Sequence, residues 1–410
     1  MRVLWLSVTP SNYDTTIFGG WIASLEKIVH SYCKEVVLGI AFEHKDNVYK
    51  KEKDGTFYYP IKIFNSHLDK VRWRIDPDYE WILLKPKLIN IINDFKPDII
   101  QCFGSEWPFG LIAKEVNVPV VIHMQGFSNI YRLSNQMALT LPERYYVVRY
   151  NPAKIFQQRF KEYKSRKTAN TEKKIMNVNK YFMGRTEWDR NIVKYYSPHS
   201  LYFHCEEAIR PEIKNSHRHW EYKEDECMRI ISISNASTLK GNSLILRTAK
   251  ILKEFNFDFE WKVAGNKDSF KIFENLLNIN HNDVNITMLG SIDVNDVVAE
   301  LINNEVYVHT AIIDNSPNSI CEAQLIGIPV VSTNVGGIPQ LIKNGNTGFL
   351  YPYNEPHTLA FLLMNIHNKR ELLEHLSHNE KNVSNRRHNE KDIADRLITI
   401  YKKIIDEKNR

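Results

Sequence analysis

Residues 314–337 read DNSPNSICEAQLIGIPVVSTNVGG, and the rest of the chain makes sense as scaffolding around them. An apolar stretch at 306–309 precedes this segment, and a polar turn follows it. A helix is expected to open near Asn318 and run to Gly327, and a second strand to follow at 329–332 before Gly336 and Gly337. Strand, turn, helix and strand make a βαβ unit whose first loop carries unpaired backbone N–H groups at a helix start. Such an end favours anions, because the donors and the helix dipole both attract negative charge. In an open α/β sheet this loop lies outside the carboxyl ends of the strands, where ligands bind. Asp314 and Glu322 bracket the loop, and carboxylates accept several hydrogen bonds from hydroxyl-rich ligands. Phosphate donors beside hydroxyl acceptors point to a nucleotide sugar. The plainer alternative is one more βαβ turn with solvated acids.

A length of 410 residues favours two domains. The opening MRVLWLSVTP lacks a basic region and a cleavage site, so it reads as a first strand and not as a signal peptide. No apolar run approaches the ~18–20 residues of a membrane span. Cysteines 33, 102, 205, 227 and 321 are scattered and never form a CxxC pair. That implies reduced thiols and a cytoplasmic chain, with neither a disulfide framework nor a metal site. Residues 1–220 hold 33 basic and 23 acidic side chains, a net +10, whereas 221–410 hold 21 and 25, a net −4. Residues 151–200 alone carry 12 and 4, a net +8. The first half is therefore suited to a negative partner such as a membrane surface, a lipid phosphate or nucleic acid, or it simply carries a solvated basic helix.

Taken in order, strands are expected at 3–8, 35–40, 59–64, 97–102, 118–123, 180–184 and within 199–210. Helices are expected from Trp21, at 81–95 and 107–116, and from Glu187. The alternation implies a parallel, doubly wound sheet. Gly19 and Gly20 stand at the first helix start, where a glycine pair lets a ligand approach the backbone or merely makes a turn. No GxGxxG is present, which counts against a dinucleotide oxidoreductase. His123 ends the strand of VPVVIHMQG, so its ring belongs at the ligand edge as a structural group, a general base or a hydrogen-bond donor. Residues 127–179 are long, basic and aromatic. Phe156, Phe160 and Tyr163 fall on one helical face, a pattern suited to a membrane interface or to a subunit.

The polar stretch 215–226 reads as a linker, and the alternation then repeats. Strands are expected at 228–234, 258–264, 285–289, 306–309 and 329–332. Helices are expected at 242–255, 269–279, 295–303, 319–326 and 356–366, with a last helix at 391–405. Domain bounds of 1–214, 227–385 and 386–410 follow. Two decoys are set aside: the DxD of Asp76 and Asp78 sits in an RWRIDPDYE loop away from any strand end, and His217 and His219 lie in the linker.

Lys240, in SISNASTLKGNS, follows the first strand of the second half and can reach a phosphate at the sheet edge. Together with Asp314-x7-Glu322, GIPVVSTNVGG and LIKNGNTGFLYP, it makes the chain resemble the retaining glycosyltransferases of family 4, most closely over residues 230–353. In the first half the likeness is looser and rests on the glycine pair, His123 and GRTEWDR. The resemblance implies a GT-B fold, with two facing Rossmann-like domains and a C-terminal helix crossing back to the first. It places the ribose-binding carboxylate on Glu322 and the sugar-binding one on Asp314, where the family carries Glu. The phosphate-binding lysine falls on Lys240, while the family's arginine five residues earlier is Asn235 here. The EGFG turn becomes DNSP, which gives the amide role to Asn318 and Ser319. Gly290 would meet the base, and His123 the transferring sugar.

The implied reaction is front-face transfer with retention, from a UDP- or GDP-sugar to a glycan or lipid-linked saccharide, as in bacterial surface polysaccharide synthesis. No metal or other cofactor is implied, since Lys240 and helix N-termini would stabilise the leaving diphosphate. Nucleic acid drops out as a partner, and an anionic inner membrane face remains. Arg185 could supply the positive charge missing at Asn235, in which case Arg185→Ala would spare the melting temperature. Otherwise Arg185 only pairs with Glu187 or Asp189. Two other classes compete: an inactive nucleotide-sugar-binding protein, and an epimerase, for which no elimination base is found.

Overall fold

The computed structural model describes every residue except 15–19, 47, 235–236 and 409–410, together with the side chain of Ser269. The chain forms two compact units. The first comprises Met1–Arg132, Gln158–Arg210 and His388–Arg410, and the second comprises Leu133–Gln157 and Pro211–Arg387. Residues 133–157, expected in the first half, thus group with the second unit.

In the first unit, β1 (Arg2–Ser7), β2 (Val37–Glu43), β3 (Lys51–Lys53), β4 (Thr56–Ile61), β5 (Ile99–Phe103), β6 (Val120–His123), β7 (Tyr181–Gly184) and β8 (Leu201–His204) form one sheet. Its order among the described residues is β3-β4-β2-β1-β5-β6-β7-β8, parallel throughout except for β3, which runs antiparallel on β4. Strands β1, β5 and β6 are apolar runs buried on both faces, as a sheet covered by helices requires. One face packs on the helix Gly20–Tyr32 and on the C-terminal helix Glu390–Lys408, whose Ile393, Leu397, Ile400, Tyr401 and Ile404 are buried there.

In the second unit the strands are β9 (Met228–Ile233), β10 (Phe259–Ala264), β11 (Ile286–Gly290), β12 (Val306–His309), β13 (Val330–Thr333) and β14 (Phe349–Tyr351). They pair in parallel in the order β11-β10-β9-β12-β13-β14. Strand order reverses at β9, so the ligand edge of this sheet is expected at the carboxyl ends of β9 and β12.

Several elements differ from the sequence expectation. Residues 107–116 form a 3-10 helix, Pro108–Lys114, and not an α-helix. The stretch 215–226 is no free linker, because Trp220 is buried, with its indole N–H on the Asn304 carbonyl and its backbone N–H on Ile326. The helix Arg370–Arg387 had no sequence signal: its buried stripe is Leu373, Leu376, Ser377, Glu380 and Ser384, more polar than apolar. The basic segment is three helices, Ser128–Ala138, Leu141–Val147 and Pro152–Val178. The last keeps Phe156 and Tyr163 exposed near its start and buries Ala169, Glu172, Ile175 and Met176 near its end.

Candidate active site

In the second unit, Lys240 and Asp314 meet at the carboxyl ends of β9 and β12. Lys240 Nζ lies 2.5 Å from Asp314 Oδ2, and His309 Nε2 lies 3.5 Å from the same oxygen. His309 ends β12, and its Nδ1 is 3.2 Å from the Tyr307 hydroxyl. Backbone contacts lock the arrangement. Thr310 Oγ1 donates to the Lys240 carbonyl at 2.8 Å, and Gly337 N–H donates to the Asp314 carbonyl at 3.0 Å. Two glycines make these approaches possible: a Cβ on Gly241 would stand 1.8 Å from Thr310 O, and one on Gly336 1.9 Å from Asp314 O. Both have positive φ, at 72° and 55°, so larger residues are excluded twice over.

Burial would push the Asp314 carboxyl up, but the Lys240 ammonium and His309 hold it well below the usual carboxylate range. Burial lowers the pKa of His309, opposed by Asp314, so its imidazole is neutral at pH 7. The helix Asn318–Ile326 starts just beyond, with Pro317 at its N-cap. Proline has no side-chain acceptor, so the first amides, those of Asn318 and Ser319, receive no cap from that residue. Glu322, one turn in, is 6% exposed, and its charge together with burial raises the pKa of the Tyr307 phenol. Gly290 closes β11 with φ 76°, two strands from β9, its carbonyl taking the Gly265 N–H at 2.7 Å. Asn235 falls outside the described residues.

In the first unit, His123 ends β6, fully buried, stacked on Phe103 at 5.7 Å and edge-on to Trp21 at 4.9 Å. Burial and the Arg185 charge push its pKa down to about 3, so the ring is neutral. Arg185 is 5% exposed, with its guanidinium carbon 5.4 Å over the Trp21 ring and Nη1 3.7 Å from Glu207 Oε2. Of the two acids named from the sequence, Asp189 accepts the Arg185 backbone N–H and Glu187 pairs with Arg190. Gly20 opens the first helix at φ 63° with open space where a Cβ would stand, while Gly19 falls outside the described residues.

Besides His309 and Glu207, four further groups escaped the sequence reading. Gln101 Nε2 lies 3.2 Å from His123 Nδ1, Tyr401 bonds Gln101, and Trp5 donates to Tyr401. Glu172 accepts from Ser105 Oγ and from the Ser128 and Asn129 backbone N–H groups, all at 2.9 Å, tying together the loops after β5 and β6. The available signal was a polar side chain inside an apolar strand, as Gln101 stands in IIQCF. A cavity of about 400 Å³ in this unit is lined by Trp73, Trp81, Trp107, Lys164, Glu80 and Glu106 among others. Lys164 Nζ stands 3.1 Å from the Trp73 ring centre, and burial lifts the pKa of Glu106 to about 7. Asp76 and Asp78 are occupied by Lys167, at 3.3 and 3.4 Å, and Asp78 also by Lys174. Among the described residues no cluster of His, Cys, Asp and Glu could hold a metal ion.

The fold has counterparts among solved structures. A sucrose-phosphate synthase from Thermosynechococcus elongatus superposes with a TM-score of 0.73 at 12% identity, covering 99% of both chains. The fold is GT-B. Anabaena Alr3699/HepE, solved in complex with UDP-glucose, superposes at 0.62 with 14% identity, over 97% of this chain and 98% of that one. Residues 214–383 match the family model described as glycosyl transferases group 1. The putative colanic acid biosynthesis glycosyltransferase WcaL of Escherichia coli is 27% identical over 139 residues, which is 32% of this chain. The chain thus matches 34% of that relative's length.

Proposed function

We propose that this GT-B chain is a retaining, metal-independent glycosyltransferase. It moves a hexose or N-acetylhexosamine from a UDP-sugar, with GDP-sugar as second choice, to a glycan or lipid-linked saccharide in bacterial surface polysaccharide synthesis. The observation that carries the reading is the Lys240–Asp314–His309 cluster, set at the switch point of the second sheet beside the N-terminus of the Glu322 helix. Lys240 and the Asn318 and Ser319 amides take the diphosphate, Glu322 the ribose hydroxyls, and Asp314 the sugar hydroxyls. The Gly290 backbone borders the base. As the bond from the anomeric carbon to the phosphate oxygen breaks, the acceptor oxygen bonds to that carbon on the same face. The acceptor's proton passes to the departing phosphate oxygen. Lys240 and the helix amides stabilise the charge that develops there, the part a metal plays in other transferases.

The indole-lined cavity, with its lysine and carboxyl groups, has the chemistry that holds a saccharide acceptor: flat apolar faces beside hydrogen-bonding charges. The five cysteines are free thiols, in keeping with a cytoplasmic setting. No helix among the described residues is long and apolar enough to cross a membrane. The exposed Phe156 and Tyr163 on the basic helix suit a peripheral seat on the inner face of the cell membrane. The reading is tested by following UDP- and GDP-sugar consumption with and without a saccharide acceptor, and by NMR of the product's anomeric centre. Acceptor-dependent turnover with retention is expected. Binding without turnover would make the chain a nucleotide-sugar-binding protein instead.

A further inference from the structure

The buried chain Trp5–Tyr401–Gln101–His123 has a polarity that can be read from its first member. An indole N–H only donates, so at 3.1 Å from Trp5 Nε1 the Tyr401 hydroxyl oxygen is an acceptor. The hydroxyl proton then points onward to Gln101, and the atom facing it is the amide oxygen Oε1. This turns the Gln101 NH₂ group toward His123 Nδ1, 3.2 Å away. Reversing the amide would confront Tyr401 with two donors and strand its own proton in a fully buried site, which costs more than either hydrogen bond gains. His123 Nδ1 is therefore the acceptor. The ring is neutral and keeps one proton, so that proton sits on Nε2. All four side chains are at most 1% exposed, and Nε2 finds no acceptor among the described residues. It lies on the ring edge-on to Trp21, at the carboxyl end of β6.

We propose that Tyr401 and Gln101 are positioning residues that hold His123 as an Nε2–H donor, so that its role toward substrate is to donate a hydrogen bond to a saccharide oxygen and not to act as a base. The C-terminal helix thereby reaches the site through a single hydroxyl 300 residues away in sequence from its partner. The donor role toward a saccharide rests on the proposed transfer reaction. The tautomer does not.

Long-range ¹H–¹⁵N NMR of the full chain, labelled with ¹⁵N-histidine and assigned by the signal lost in His123→Gln, reads the tautomer without any substrate. The wild-type ring is expected to show a protonated Nε2 and a bare Nδ1. Tyr401→Phe keeps the ring and removes the hydroxyl, so the amide can turn, and a second, Nδ1–H population is expected. Gln101→Glu presents a carboxylate that accepts from both neighbours and should move the proton to Nδ1. With UDP-glucose as donor probe, its kcat is expected to fall by about tenfold with little change in donor KM. A wild-type ring protonated on Nδ1 overturns the proposal, and this remains readable should either variant fail to fold. A Gln101→Glu protein with the shifted tautomer and undiminished kcat overturns the positioning role. A wild-type chain with the expected tautomer but no turnover of any donor counts against the transfer reaction alone.

Discussion

Replacing Lys240 by Met removes one charge from the Lys240–Asp314–His309 cluster and leaves an unbranched side chain one heavy atom shorter. The two partners are 23% and 15% exposed, and Asp314 then keeps burial on one side and a neutral imidazole on the other. In the wild type the Asp314 pKa is depressed below its ordinary 3.8, so the carboxylate stabilises the second unit above about pH 4 and loses that contribution as pH falls. In the variant burial dominates and the pKa rises above 3.8. The sign reverses, and stability is lost as pH climbs through the new value. Breaking a fully buried pair costs about 3–5 kcal/mol; with this much exposure a loss of about 1–3 kcal/mol at pH 8 is expected. For a unit of this size that is roughly 2–4 °C of melting temperature per kcal/mol. The deficit should shrink as the pH is lowered toward 4.5, and Asp314→Asn in the Lys240→Met background should recover most of it. The transfer rate should fall by about 10²–10³, since an ammonium aimed at a departing diphosphate acts mainly in the transition state. Thermal melts at pH 4.5 and 8, with initial rates at pH 8, make the test. A variant that melts like wild type at both pH values and keeps its rate would refute the coupling of fold and site.

Further outcomes follow from the same geometry. EDTA should leave activity unchanged, because Asp76 and Asp78 are engaged by lysines; loss on chelation with recovery on Mn²⁺ would contradict this. The exposed part of the basic segment should bind anionic vesicles at low salt with on the order of 1 kcal/mol per unpaired Lys or Arg, and equal co-sedimentation with neutral vesicles would leave a subunit contact as the better reading. Arg185→Ala should lower both kcat and melting temperature, since a buried guanidinium faces buried Glu207; about 3–5 kcal/mol is the usual cost of breaking such a pair. A role for Arg185 at the leaving diphosphate alone would lower kcat and spare the melting temperature, so an unchanged melting temperature would favour that reading over the ion pair.

Local sequence carried the second unit far. Every strand from β9 to β13 and every α-helix between them falls within two residues of its sequence expectation. The 3-10 turns Thr238–Lys240 and His281–Val284 gave no signal, but Lys240 and Asp314 are each fixed by the loop that follows a strand. Pairings distant in sequence were out of reach. Nothing near Gln101 says that Tyr401 will cap it, although Tyr401 falls on the stripe of Leu397 and Ile404. Glu207, the ion partner of Arg185, sits in a short irregular stretch with no period to place it. His309 was legible in kind, since it ends a strand as His123 does, yet the apolar reading of residues 306–309 passed over it. The helix Arg370–Arg387 was invisible because three of the five residues it buries carry hydroxyl or carboxyl groups. Periodicity detects apolar stripes, and this stripe is held by other means.

The central claim is that the second unit holds a nucleotide sugar through Glu322. Calorimetric titration of UDP- and GDP-sugars into the wild type and a folded Glu322→Ala variant tests it most directly. A carboxylate bridging two ribose hydroxyls makes charge-assisted bonds of about 1.5–3 kcal/mol each, so the variant should bind at least tenfold more weakly. Equal affinity in the two proteins would contradict the account.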